Sequence, residues 1–168
     1  AEVGCQGEVG SAASMAAARG ARLVALPEYF PLISGDETDK VRAREKEGEG
    51  PLQDFLRETA LRHKVWLVGG SIPLQASSPD KVRNACLAFD DAGRRVARYD
   101  KIHLFGFTRG TEQYDESRTI EAGGEAVAFD SPVGRVGLSI CYDLRFPELY
   151  RSMGPVDLLV VPAAFTHT

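Results

Sequence analysis

The sequence has little of what marks membrane, nucleic-acid-binding and disulfide-rich proteins. No apolar run approaches the ~20 residues that a membrane-spanning helix needs. The N-terminus carries no basic segment followed by an apolar one, so we expect no export signal and a cytoplasmic location. Lys and Arg number 20 against 24 Asp and Glu, and they are scattered. No basic face is therefore offered to nucleic acid or to an anionic membrane.

Cysteine is also scarce. Cys5, Cys86 and Cys141 are an odd and widely spaced set, which does not resemble a disulfide framework. We interpret all three as free thiols.

Patterns that hold metals or nucleotides are missing as well. His63, His103 and His167 lie far apart, without the close His, Cys or carboxylate spacing of metal sites, so no metal is predicted. The glycines form neither GxGxxG nor GxxxxGK[ST], so no nucleotide cofactor is predicted either.

What remains is an ordinary globular composition, with 43% hydrophobic and 26% charged residues in 168. We expect one domain over residues 1–168. Ser11 is a plausible N-cap for a helix that ends near Gly20, and an apolar strand follows it at 23–26. Pro51 opens a second helix, which is followed by the strand "VWLVGG".

Hairpins dominate the second half of the chain. Turn residues at 90–93 and 131–134 each separate two runs with strand character. Pro147 can open a further helix, and "DLLVVPAAF" is typical of a buried strand. This order predicts an α/β fold with mixed sheets covered by helices.

The segment 36–49 carries ten charged side chains in fourteen residues. The pattern favours a solvated loop or an exposed helical turn. A flap over a site is the alternative interpretation.

Three polar residues follow predicted strands. Glu28 comes after "RLVAL", Lys101 after "RRVARY" and Cys141 after "VGLSI". Strand ends are where α/β sheets place their chemistry. A thiol needs activation by a nearby cation or base, which Lys101 and Glu28 can supply. Each residue also has a structural interpretation, as a small core side chain, a surface cation or a capping carboxylate.

The motifs around these residues, "LPEYF", "YDKIHLF" and "GLSICYDLRFPELYR", resemble the nitrilase or carbon-nitrogen hydrolase superfamily. The match is closest to its Nit branch, the amidases acting on deaminated glutathione and on ω-amides. The resemblance covers residues 21–168. It implies an αββα sandwich, no metal or organic cofactor, and a Glu-Lys-Cys triad.

By motif, Cys141 resembles the nucleophile, Glu28 the general base and acid, and Lys101 the cation that stabilises the oxyanion. The backbone N–H of Tyr142 would complete the oxyanion hole. A second glutamate follows the lysine motif in many members; its best match is Glu116, and Glu112 and Glu121 are the neighbouring alternatives. The implied reaction is hydrolysis of a small carboxylated amide, through a thioester, with release of ammonia.

Two regions depart from the family pattern. The N-terminal "AEVGCQGEVGSAASM" is short and rich in glycine, and the chain stops where members of the family continue. We therefore expect a C-terminal part to be absent from this chain. Family members commonly assemble through helices beside the nucleophile, so we expect a homodimer or higher homo-oligomer with contacts at 146–153.

Other functions remain open at this point. A nitrilase or an N-carbamoyl amino acid hydrolase would use the same triad. A non-catalytic scaffold domain could retain the fold without turnover. The role of Arg145 and Glu148 is also open, between binding a substrate carboxylate and locking the loop.

Overall fold

The computed structural model describes residues 6–32 and 36–165. Within these residues the chain forms four α-helices, ten β-strands and two 3-10 turns. The helices are α1 (Gln6–Ala18), α2 (Asp39–Arg42), α3 (Pro51–His63) and α4 (Pro147–Ser152). The strands are β1 (Leu23–Ala25), β2 (Trp66–Val68), β3 (Ile72–Gln75), β4 (Val82–Phe89), β5 (Arg95–Asp100), β6 (Gly106–Arg109), β7 (Glu112–Asp115), β8 (Val127–Ser131), β9 (Gly134–Leu138) and β10 (Leu158–Val160). The 3-10 turns are Glu116–Arg118 and Cys141–Arg145.

The larger sheet is mixed and is organised around the long strand β4. On one side, β4 pairs antiparallel with β2 and β3, and on the other side with β5. Strand β1 extends the sheet by pairing parallel to β2. This arrangement places the ends of β1 and β5, which precede Glu28 and Lys101, in one sheet.

A second sheet of three strands carries the nucleophile candidate. Strands β8 and β9 form an antiparallel hairpin, and β10 pairs parallel to β9. The separate hairpin β6–β7 lies between the two sheets in sequence. The predicted hairpins at 90–93 and 131–134 are thereby confirmed.

Two hydrophobic cores cover the two faces of the larger sheet. The first joins that sheet to α1 and α3, through side chains such as Leu56, Leu67 and Leu87. The second joins it to the smaller sheet and to α4, through Ala88, Val136 and Leu149 among others. The layers are helix, sheet, sheet and helix, so the predicted αββα sandwich is confirmed.

Two local predictions need correction. Ser11 is not an N-cap, because α1 already runs from Gln6 and Ser11 lies inside it. Packing outweighs the capping preference here, since Ala13 is fully buried and Val9 packs against the first core. Strand β10 is only partly buried, because Leu158 and Leu159 are exposed and only Val160 is covered.

The charged segment is more ordered than its composition predicts. It contains the short helix α2, and two of its charged side chains, Lys40 and Glu45, are buried. Glu45 accepts hydrogen bonds from the backbone N–H groups of Leu52 (2.5 Å) and Gln53 (3.1 Å). Helix α3 begins after Gly50, which has no side chain to cap it. The Glu45 carboxylate therefore accepts from the N-terminal N–H groups of α3, although it lies seven and eight residues before the two donors.

Gly70 fixes how closely β1 and the segment after β2 approach each other. Its φ is +57°, and a Cβ at this position would overlap the backbone carbonyl oxygen of Pro27. Pro27 directly precedes Glu28, so this contact determines where the Glu28 carboxylate lies. Gly20 also has a positive φ, of +87°, but a Cβ there would meet no atom within 4 Å.

We predict that Gly70→Ala lowers the free energy of unfolding by at least about 3 kcal/mol and that Gly20→Ala lowers it by only about 1 kcal/mol. Both substitutions strain a left-handed backbone, but only the first also forces Pro27 to move. Chemical denaturation of the two variants measures the difference. Equal losses would show that backbone conformation alone accounts for the glycine at position 70.

Candidate active site

Four of the predicted site residues follow strands or open turns. Glu28 lies three residues after β1, and Lys101 follows directly after β5. Cys141 and Glu116 each begin a 3-10 turn, after β9 and β7 respectively. Glu28, Lys101 and Glu116 are all buried, and Cys141 is half-buried.

Lys101 joins the two glutamates. Its Nζ lies 3.1 Å from Oε1 of Glu28 and 2.9 Å from Oε2 of Glu116. Only 1% of the lysine side chain is exposed, against 4% and 7% for the two glutamates. Burial by itself lowers the pKa of Lys101, but the two carboxylates outweigh it and raise that pKa. Lys101 is therefore a fixed positive charge.

Each carboxylate is also held from its other side. Oε1 of Glu28 accepts from Nδ2 of Asn84 (3.0 Å), and Oε2 accepts from the N–H of Ala164 (3.0 Å). Glu116 exchanges two hydrogen bonds with Phe105, accepting from its N–H at 2.8 Å and donating to its carbonyl at 2.9 Å. These contacts orient both carboxylates before any substrate arrives.

The backbone at Cys141 is strained. Its φ is +48°, which is uncommon for any residue other than glycine, and Tyr29 beside Glu28 has the same value. The N–H of Cys141 donates to the carbonyl of Pro162 at 2.9 Å. Strain of this kind persists only where surrounding contacts enforce it, and it is common at functional sites.

The Cys141 thiol is not ionised by its surroundings. Burial, the Glu28 charge and a hydrogen bond with the Glu28 carboxylate raise its pKa to about 11, and these effects outweigh the opposite effect of Lys101. Lys101 by itself lowers this pKa, as expected of a nearby ammonium, but burial is the largest effect and makes the net shift upward. Glu28 lies close enough to the thiol to raise its pKa, a position that suits a base for the thiol proton.

Asp143 holds the 3-10 turn that begins at Cys141. The sequence analysis did not predict this role. It is fully buried, and its Oδ2 accepts from the Tyr99 hydroxyl (2.6 Å) and the N–H of Ile140 (2.9 Å). Its Oδ1 lies 2.9 Å from the backbone N and 2.8 Å from Nδ1 of His103. Asp143 thereby fastens the turn after β9 to the segment around Lys101. The signal was present, as a carboxylate two residues after the cysteine of an apolar strand.

Aromatic packing supports the same turn. The His103 ring stacks on Phe146 with 3.6 Å between centroids, and Tyr142 meets Phe105 and Phe146 edge-on. Arg145 and Glu148 are both exposed, and among the described residues the turn is held by Asp143 rather than by either of them.

The described residues contain neither a metal-binding cluster nor a membrane-spanning helix. Among residues 6–32 and 36–165, no group of three or more His, Cys, Asp or Glu side chains is arranged to hold a metal ion. No helix in that part of the chain combines the length and the apolar character needed to cross a bilayer. Cys5 and His167 lie outside the described residues.

Residues 7–164 match the family model described as carbon-nitrogen hydrolase. The chain belongs to the carbon-nitrogen hydrolase family. The resemblance stated from the three motifs is thereby confirmed.

Curated relatives of this carbon-nitrogen hydrolase carry amidase names. The deaminated glutathione amidase of Yersinia enterocolitica is 40% identical over 152 residues, which cover 88% of this chain and 53% of that protein. The human omega-amidase NIT2 is 40% identical over 157 residues, covering 91% and 55%. The chain thus spans about half the length of these relatives.

Solved structures show the same fold. The Nit3 protein of Saccharomyces cerevisiae, a member of branch 10 of the nitrilase superfamily, has a TM-score of 0.79 at 27% identity, covering 96% of this chain and 59% of that one. The NitFhit protein of C. elegans has a TM-score of 0.75 at 33% identity, covering 95% and 41%.

We predict that Asp143→Asn destabilises the protein by about 3 kcal/mol. An amide group cannot accept at both positions where the carboxylate accepts, so buried donors lose their partners. Asp130→Asn is the control, because the Asp130 side chain is 86% exposed and should change stability little. Thermal unfolding of both variants tests this prediction. If Asp143→Asn is as stable as the wild type, the anchoring role of Asp143 is refuted.

The second prediction concerns the Cys141 thiol. Its alkylation rate by iodoacetamide should rise with pH up to about 11, because the raised pKa keeps the thiol protonated at lower pH. Glu28→Gln removes a negative charge and should lower this pKa, whereas Lys101→Met removes a positive charge and should raise it. Peptide mass spectrometry follows Cys141, with Cys86, whose pKa burial raises to about 12, as the internal control. Full labelling of wild-type Cys141 near neutral pH would contradict the prediction.

Proposed function

We propose that this chain carries the catalytic centre of an amidase that hydrolyses a small carboxylated amide and releases ammonia. One observation carries the proposal: the buried Glu28 carboxylate lies 3.1 Å from the Lys101 ammonium and close enough to the Cys141 thiol to raise its pKa. A scaffold domain has no need of a charged pair buried beside a strained cysteine.

In the first half of the reaction, Sγ of Cys141 attacks the carbonyl carbon of the amide. The thiol proton passes to Glu28 as the S–C bond forms. Glu28 then gives this proton to the amide nitrogen, the C–N bond breaks and ammonia leaves. The product is a thioester on Cys141.

The negative charge that develops on the carbonyl oxygen needs donors. The Lys101 ammonium is held rigidly by its two carboxylates, so it can stabilise the oxyanion without reorganising. We assign the second donor to the backbone N–H of Tyr142. Glu116 acts through Lys101, because it contacts the ammonium and fixes its position.

In the second half, Glu28 takes a proton from a water molecule that attacks the thioester. The C–S bond breaks, the carboxylic acid product leaves, and the proton returns to the sulfur of Cys141. The raised pKa of Cys141 suits a site whose resting state is the neutral thiol, since the free enzyme regains its proton in every cycle.

The names of the relatives support this class of reaction. The two curated relatives at 40% identity are named for amidase activity, on deaminated glutathione in one and on an ω-amide in the other. We propose a substrate of this general kind, with a hydrolysable amide and a carboxylate.

We also propose that residues 1–168 belong to one catalytic domain that acts as a homo-oligomer in the cytoplasm. Cys86 and Cys141 are free thiols, which fits a reducing compartment. Leu144, beside α4, is 55% exposed and offers an apolar side chain to a second copy of the chain. Light scattering tests the assembly, and a monomer at all concentrations would refute it.

We predict that Cys141→Ala and Glu28→Gln each reduce ammonia release from a panel of ω-amides by at least about a thousandfold. Cys86→Ala should retain turnover, because Cys86 lies in the core between the sheets. A coupled ammonia assay on the purified chain gives the rates, and circular dichroism confirms that each variant is folded.

The acyl intermediate gives a second measurement. Rapid quenching of the wild-type chain with substrate should show the mass of the acyl group on the Cys141 peptide and on no other. Turnover that survives in Cys141→Ala would overturn the proposed mechanism.

A further inference from the structure

The charged segment 36–49 places a buried cation over the ring of Tyr29, the residue that follows Glu28. Lys40 lies on α2, and only 10% of its side chain is exposed. Its Nζ lies 5.5 Å from the centroid of the Tyr29 ring. An ordinary surface ion pair on a helix needs no burial of the lysine. The ion pair with Glu37 therefore does not explain why Lys40 is buried.

Tyr29 connects this lysine to the catalytic residues. It directly follows Glu28, and its hydroxyl is buried without a hydrogen-bond partner among the described residues. Burial raises the pKa of Tyr29, and the charges of Glu116 and Glu28 raise it further. A buried hydroxyl without a partner is costly unless a ligand completes it.

The Glu37 carboxylate already pairs with the Lys40 ammonium. Oε2 of Glu37 is 2.6 Å from Nζ of Lys40. Tyr114 is influenced by the same carboxylate, since burial and then the Glu37 charge raise the pKa of Tyr114. The Glu37 side chain is 45% exposed, so it reaches the lysine from the solvent side and can leave without disturbing the core.

We propose that Lys40, Tyr29 and Tyr114 form a subsite that binds the carboxylate of the substrate, and that Glu37 is the side chain this carboxylate displaces. Tyr29 directly follows Glu28 and Tyr114 lies two residues before Glu116. In this proposal a short dicarboxylic monoamide places its free carboxylate on Lys40 and its amide at Cys141. This inference rests on the proposed amidase function and names the residues that select for a carboxylated substrate.

The test uses glutarate, a dicarboxylate with no amide to hydrolyse, as the probe. Increasing glutarate should protect Cys141 from iodoacetamide, with Cys86 as the internal control. Lys40→Gln should raise the protecting concentration about tenfold, because a charge-assisted contact is lost. Arg42→Gln is the matched control: Arg42 lies on the same helix and also pairs with a carboxylate, but 70% of its side chain is exposed. This control should leave protection unchanged.

Glu37→Gln separates binding from folding of the segment. It removes the competing charge, so it should lower the protecting concentration of glutarate by about threefold. If the Lys40–Glu37 pair only held the segment in place, glutarate would protect Cys141 less well in both Lys40→Gln and Glu37→Gln. That result would overturn the subsite. Equal protection in wild type, Lys40→Gln and Arg42→Gln would overturn it as well.

Turnover distinguishes this inference from the function it rests on. Lys40→Gln should raise the KM for glutaramate about tenfold, with little change for the neutral butyramide. If neither amide is hydrolysed while glutarate protection still depends on Lys40, the subsite stands and the amidase proposal fails. If both amides are hydrolysed and Lys40→Gln affects them equally, the subsite fails alone.

Discussion

The structure depends on one buried ammonium shared by two carboxylates. Burying the Lys101 charge is costly, and the cost is offset only because Glu28 and Glu116 lie within hydrogen-bonding distance and are themselves held by Asn84 and backbone N–H groups. Each partner comes from a different part of the chain. The cluster therefore forms only when the larger sheet and the β6–β7 region are correctly assembled.

Separate contacts attach the turn at Cys141, the candidate nucleophile, to this cluster. Cys141 lies at the end of the smaller sheet, and Asp143 ties its turn to Tyr99 and His103 of the other sheet. Burial and the Glu28 charge raise the pKa of the thiol to about 11 and outweigh Lys101, so the sulfur is protonated at neutral pH.

The charged segment is more than a solvated loop. Glu45 satisfies N-terminal donors of α3 and so fixes where the segment meets the body of the molecule. Lys40, five residues earlier, is buried over the ring of Tyr29, which directly follows Glu28. A segment with interspersed charges can therefore be anchored by the few side chains that are buried and paired.

The sequence by itself determined the αββα fold class, both hairpins and the family, because local turn chemistry and three extended motifs specify them. It also identified Glu28, Lys101, Cys141 and Glu116 as candidates, although their roles remain proposals. Only the tertiary structure decided the thiol pKa, the anchoring by Asp143 and the burial of Lys40. These properties depend on groups that are distant in sequence: Asp143 lies 44 residues from Tyr99 and 40 from His103, and Lys101 lies 73 residues from Glu28. No local pattern encodes such contacts.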